Sequence, residues 1–305
     1  MIASAGARIR GNRDRLVRAA VAGRLAPARL IPDLAGYDAD GRLCFLPGCG
    51  GVAPGVHVGD PVDRWLADHL MPGASAEGEE DPAVPGAFHE LACIGNRVRD
   101  GTGRFIGVVA GKRGGLAPGF MPPNLVSVEA PDDTLAKLMP GDRVVIEAEG
   151  RGLEFIDLPE IGIFNLSPAM LDCLPIAERG GALDCRVKAV VPICAAGAGV
   201  GQSPWIGDVE IAGDEVLAGS LADLRFGDLV AFDSMDGRVS RFYRPGFSTV
   251  GVVSHGPSPT PGHGPGLTVV LSGSNRALNI VIDPDASMAR SLRLSLVKTP
   301  TAGDS

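Results

Sequence analysis

Aromatic residues are scarce, with two Trp, two Tyr and ten Phe in 305 residues. Stacking platforms for single-stranded nucleic acid are built from such rings, so that partner is not expected. Positive charge is not in excess either. Twenty-eight Lys and Arg face thirty-six Asp and Glu, a formal net charge of −8, whereas a nucleic-acid surface should be basic. No apolar run reaches the roughly 20 residues that span a bilayer. A secretory leader needs an unbroken apolar core, which Arg8, Arg10, Arg13, Arg15, Arg18, Arg24 and Arg29 interrupt. The expectation is a cytoplasmic protein with a small-molecule substrate. The six cysteines, Cys44, Cys49, Cys93, Cys173, Cys185 and Cys194, contain no C-x-x-C pair. Zinc-ribbon and thioredoxin-like motifs are thereby excluded. No Walker spacing exists, and Gly197–Gly201 opens no convincing helix, so no nucleotide cofactor is expected.

What is present is a globular composition, 45% apolar and 21% charged. Val17, Val21 and Leu25 recur at i, i+4 and i+8, which predicts a basic amphipathic helix over about Asn12 to Arg24. Short Val- and Ile-rich runs between turn residues predict strands at Phe105–Ala110, Asn124–Val128, Arg143–Ala148, Leu153–Ile156, Ile161–Asn165 and Asp184–Val191. Further strands are expected at Val209–Ile211, Leu229–Phe232, Ser248–Ser254 and Leu267–Leu271. Short helices fit Asp132–Leu138, Pro168–Leu174 and Ser287–Leu292. The fold class is therefore mainly β (a β-rich α+β protein) with two barrel- or sandwich-like modules. An N-terminal helix in residues 1–30 would precede modules at 31–178 and 179–296, with a disordered tail at 297–305. An internal echo supports two modules: Gly141-Asp142 and Gly227-Asp228 each precede a buried run, and Gly59-Asp60 repeats the dipeptide.

The richest stretch is 45–75, FLPGCGGVAPGVHVGDPVDRWLADHLMPGAS. Its Pro and Gly forbid a long helix and require tight turns that hold polar side chains in place. His57, Asp60, Asp68 and His69 lie there, and His255 and His263 flank a second Gly/Pro-rich loop. Imidazole with carboxylate suits Zn²⁺, Mn²⁺ or Fe²⁺, so Asp68, His69, His255 and His263 are candidate ligands or acid–base groups. The plainer alternative is that these histidines brace turn backbones. Cys49, between glycines, is a candidate nucleophile if a histidine lies beside it; otherwise it is a small residue filling a turn. Lys112 and Arg113, in a Gly-rich turn, are candidates for holding a substrate carboxylate or phosphate; otherwise they cap a solvated hairpin. The run 233–238, DSMDGR, lacks the terminal Glu of a calcium loop and reads as a turn.

The run LRFGDLVAFDSMDGRVSRFYRPGFSTVGVVSHGPSPTPGHGPGLTVVLSG (224–273), with GHGPG after G-V-V-x-H, resembles an uncharacterised prokaryotic family, domain of unknown function 4438. The stretch 45–75, the turn 111–115 and Leu153–Pro168 resemble it too, so the likeness covers about 43–294. It implies a strand-rich protein of two modules and no assigned activity, so no catalytic residue carries over. Three positions depart from the pattern the resemblance implies: Met71 where Glu is expected, Cys49 where Thr is expected and Arg113 where His is expected.

The reading that joins these features is a metal-dependent hydrolase acting on a small anionic or amide-containing metabolite. The alternatives are a cysteine-dependent hydrolase or transferase at Cys49, and a non-catalytic binding or scaffold protein. A homo-oligomer is expected in either case.

Overall fold

The computed structural model describes residues 9–29, 40–42, 46–79, 86–115, 124–212, 221–260 and 262–297. Cys44, Phe45 and nearly all of the expected 297–305 tail lie outside them. Strands β1 (Ala19–Leu25), β2 (Val52–Ala53), β3 (Gly73–Gly78), β4 (Arg97–Asp100), β5 (Phe105–Arg113), β6 (Leu125–Glu129) and β7 (Arg143–Ala148) form one antiparallel sheet. Its order is β1-β7-β4-β5-β6-β3, and β1 also pairs β3, so six strands close into a barrel with β2 attached to β3. Closure removes the sheet edges that would otherwise invite association.

A second sheet runs β11 (Ala189–Pro192), β13 (Leu229–Asp236), β14 (Phe242–His255), β15 (Gly266–Ser274) and β12 (Val209–Glu210). The short β8 (Gly162–Ile163), from the first half of the chain, pairs the same β15. A third sheet joins β9 (Ile176–Arg179), β10 (Ala182–Val187) and β16 (Leu278–Ile282). Helices are few and short: α1 (Ala87–Leu91), α2 (Asp132–Leu135), α3 (Pro168–Leu171) and α4 (Ala289–Val297). The strand-rich, two-module expectation holds. One apolar cluster draws on both halves, from Ile94, Val108 and Leu166 to Leu229, Val250 and Leu271. No helix of the described residues is long and apolar enough to cross a membrane.

The expected N-terminal helix is corrected. Only Arg13–Arg15 makes a helical turn, of 3₁₀ type, and residues 19–25 form a barrel strand. The apolar spacing of four that suggested a helix is also an even number, so Val21 and Leu25 share one face of a strand. Barrel packing decided between the two, with Val21, Gly23 and Leu25 buried and alternating with more exposed residues. At Gly23 any Cβ would sit 2.3 Å from the Glu77 carbonyl oxygen. Leu153–Ile156 is also not a strand; Glu154 and Phe155 make only isolated bridges. The 233–238 run is not only a turn, because β13 continues into it as far as Asp236, with a register shift between Asp233 and Met235 and Ser234 at φ 59°. Strands β2, β3, β4, β9 and β16 escaped the sequence reading. For β3 the reason is composition, since Gly-Ala-Ser-Ala-Glu-Gly has little intrinsic strand preference.

Candidate metal centre

The stretch 45–75 and the loop after β14 meet backbone to backbone. The His69 N–H donates to the Pro257 carbonyl at 3.1 Å, and the Gly256 N–H donates to the Leu70 carbonyl at 2.8 Å. His69 is held at φ 51°, a left-handed conformation uncommon for a residue with a side chain. Such strain persists only where the surroundings impose it, and it concentrates at functional sites. The two loops face β12, where backbone pairing with Gly266 of β15 sets Glu210 in place.

Three histidines converge on Glu210. His69 Nε2 lies 3.3 Å from Glu210 Oε1, His263 Nδ1 lies 2.8 Å from Oε2, and His255 Nε2 lies 4.0 Å from Oε1. The His69 ring centroid is 5.2 Å from that of His255 and 5.5 Å from that of His263. His69 is 1% exposed, His255 0% and Glu210 5%. The ligand atoms of His69, Glu210 and His263 all lie within 4.8 Å of one another, and so do those of Asp208, Glu210 and His255. The two groups share Glu210.

The groups differ in how they are satisfied. His255 is fully engaged: Nδ1 donates to the Gly256 carbonyl at 2.8 Å, since a carbonyl only accepts, and Nε2 lies 2.9 Å from Asp208 Oδ2. The other Asp208 oxygen accepts the Gly114 N–H at 2.9 Å. By contrast, His69 Nε2, His263 Nδ1 and Glu210 Oε2 have no aligned hydrogen-bond partner although all are buried. They are close enough to attract electrostatically yet not oriented to bond one another.

Charge follows this layout. Burial opposes ionisation of Glu210, but His263, His69 and His255 outweigh it and hold its carboxyl well below the usual range. Glu210 beside it raises His263. Burial disfavours charge on His255, yet Asp208 and Glu210 together raise it.

Asp68, expected as a direct ligand, instead sits behind the candidate ligand His69. Its Oδ1 lies 2.5 Å from His69 Nδ1, which turns Nε2 toward Glu210. A carboxylate bonded to the far nitrogen of a ligating histidine fixes its tautomer and orientation. Burial resists charge on Asp68, but His69, Ser258 and Arg113 lower its pKa.

Two other expectations are corrected. Lys112 does not face the centre: its Nζ, fully buried, donates to Asn165 Oδ1 at 2.8 Å and to the Glu90 and Trp205 carbonyls at 3.2 and 3.3 Å. Burial pushes its pKa down to about 8, and a substrate anion would have to displace its three oxygens. Arg113, one residue on and therefore on the opposite strand face, does reach the centre. Cys49 is 1% exposed and packs with Ala26, Met71 and Leu125. Burial pushes its thiol pKa up, and Arg113 Nη1 lies 3.2 Å from Sγ. A thiol that stays protonated and covered is not a nucleophile.

His57 stands apart, between Glu129 (2.9 Å) and Asp132 (3.1 Å). Glu210 and Asp208 had gone unnoticed in the sequence, where a two-residue strand in a Gly-rich region carries no motif. The only available signal was their i, i+2 spacing, which puts both carboxylates on one strand face. A surface cavity of about 560 Å³ opens elsewhere, lined by Asn12, Arg15, Leu16, Arg151 and Glu154 among others. Its lining holds neither histidine nor cysteine.

The fold and site define a class: a two-module, barrel-based protein with a buried histidine–carboxylate centre at the module junction. Residues 36–172 match "Domain of unknown function (DUF4438), N-terminal", and residues 173–292 match its C-terminal counterpart. The chain belongs to the DUF4438 family. A solved structure described as "Crystal structure of TM1086" is similar at 32% identity with a TM-score of 0.84, covering 94% of this chain and 100% of that one. No curated protein matches this chain.

Proposed function

We propose that this protein is a metal-dependent hydrolase. One divalent cation, Zn²⁺, Mn²⁺ or Fe²⁺, is held by His69 Nε2, Glu210 and His263 Nδ1. The observation that carries the reading is the convergence of these three atoms within 4.8 Å, buried and without aligned hydrogen bonds. Leaving such atoms unpaired is costly, and a cation among them satisfies all three at once. Two imidazoles and one carboxylate are the donor set of open, catalytic sites, in which a remaining position takes water or substrate. A metal-bound water can be a nucleophile near neutral pH. Asp68 positions His69, and the His255–Asp208 pair stands beside Glu210, with His255 Nε2 4.0 Å from Oε1.

The test is elemental analysis of protein purified without added metal and again after incubation with Mn²⁺ or Zn²⁺. About one equivalent is expected. Glu210→Gln and His69→Ala should each lose it while keeping the wild-type circular dichroism spectrum. No first-row metal in either wild-type preparation refutes the reading.

A further inference from the structure

Two buried guanidinium groups beside the centre have donors with nothing to bond. Arg241 is fully buried; Nη2 donates to the Ile206 carbonyl at 3.0 Å, while Nε and Nη1 lack acceptors. Arg113 is 2% exposed, and its Nε also lacks one. Arg113 lies within electrostatic reach of Asp68, His255 and His263, and Arg241 within reach of Asp208. Unpaired donors on a buried cation are rare and call for a ligand or another explanation.

The charges around the centre point the same way. Asp68, Asp208 and Glu210 stand against two buried cations, Arg113 and Arg241, so these fixed charges leave one negative charge before any metal arrives. A divalent cation at His69, Glu210 and His263 (the reading on which this inference rests) turns that into a surplus of one positive charge without a counter-ion. Poorly hydrated surroundings make such a surplus expensive. Lys112 is already committed to three oxygens, which leaves the two arginines as free donors. A guanidinium presents a planar fork that matches a carboxylate or phosphate group two bonds at a time.

We infer that the substrate carries an oxyanion, a carboxylate or phosphate group, seated on Arg113 and Arg241 beside the metal triad. The approach is from the side of His263, whose side chain is 21% exposed, against 1% for His69 and 0% for His255. The substrate class is thus a small anion whose scissile group lies within reach of the metal while its charged group is anchored on the arginines.

Manganese-loaded full-length protein is titrated calorimetrically with inorganic phosphate and, separately, with acetate. At least one of the two should bind, and which one binds more tightly separates a phosphate from a carboxylate substrate. Arg241→Met and Arg113→Met should each weaken that binding at least tenfold with manganese content unchanged. Since removing a buried cation can unfold a protein, Arg113→Lys is made alongside; it keeps the charge, loses the fork and should also weaken binding about tenfold. Metal bound with neither anion binding overturns the inference and leaves the metal reading standing. Wild-type anion affinity in Arg241→Met or in Arg113→Lys overturns the paired-arginine seat. No metal bound at all overturns the metal reading itself.

Discussion

At Gly266, a Cβ would sit 1.9 Å from His255 Nε2. Only glycine lets β15 pass that close to the ring while pairing with Glu210 of β12. Gly266→Ala must therefore push His255 off Asp208, and a loss of about 1–3 kcal/mol in denaturant unfolding is expected. Unchanged stability would mean that the ring has room that the structure does not show. Cys49 and Lys112 show why residue type is a weak guide to role. The thiol among glycines looked accessible, but the turn folds inward and covers it. Cys49→Ser should accordingly leave metal content and any turnover at wild-type levels, and loss of turnover alone would restore the thiol to the mechanism. Lys112→Met fills the same space but strands three oxygens. It should cost about 1–3 kcal/mol through unsatisfied acceptors, measured as a shift in unfolding midpoint with metal content retained. The three positions that depart from the family resemblance also gather here: Cys49 and Met71 share one small cluster, and Arg113 bonds Cys49.

At the scale of elements, one turn recurs three times. Gly59, Gly141 and Gly227 have φ of 98°, 93° and 93°. The aspartate after each accepts the N–H three residues before it: His57 to Asp60, Met139 to Asp142 and Arg225 to Asp228, at 2.8, 2.8 and 2.9 Å. The dipeptide echo was legible in sequence because this turn needs a left-handed glycine and a short carboxylate. The first of these turns places His57 between Glu129 and Asp132, tying the loop to β6 and α2. Burial lowers the tendency of His57 to be charged, but Glu129 and Asp132 together outweigh it and raise its pKa above the ordinary 6.5. A raised folded pKa gives stability that is fully present below the unfolded value and is lost as pH rises through the folded one. His57→Gln should therefore be less stable than wild type near pH 6, with the difference narrowing by pH 9. A difference that stays constant over that range would show that the ring acts through packing and not through charge.

For the molecule as a whole, the barrel and the second sheet do not separate cleanly. Strand β8 comes from the first half yet pairs β15 of the second, and the Lys112 N–H of β5 donates to Thr268 Oγ1 of β15 at 2.8 Å. The cluster that includes Val108, Leu166, Leu229 and Leu271 is common to both halves. One cooperative unfolding transition is expected, with calorimetric and van't Hoff enthalpies in agreement. Two resolved transitions would show that the modules are stable on their own. The histidine–carboxylate centre belongs to this junction, because His69 comes from the first half while Glu210, His255 and His263 come from the second.

Strand-rich architecture, short helices, the Gly-Asp turns and the two histidine-bearing loops were determined by the sequence alone, because each rests on local chemistry. Alternation, turn residues and Pro/Gly density act within a few neighbouring positions. What the tertiary structure decided was everything that depended on a distant partner. The spacing of Val17, Val21 and Leu25 served a helix or a strand equally, until pairing with β7 and β3 selected the strand. Glu210, on a two-residue strand without a motif, and Asp208, just before that strand, became the focus of the centre only when the two histidine loops folded over them. Asp68 moved behind His69 for the same reason, and adjacent Lys112 and Arg113 parted company because neighbours on a strand face opposite sides. Only the folded chain could show that three side-chain atoms of His69, Glu210 and His263 gather within 4.8 Å without aligned hydrogen bonds, and that two buried guanidinium groups keep donors without acceptors.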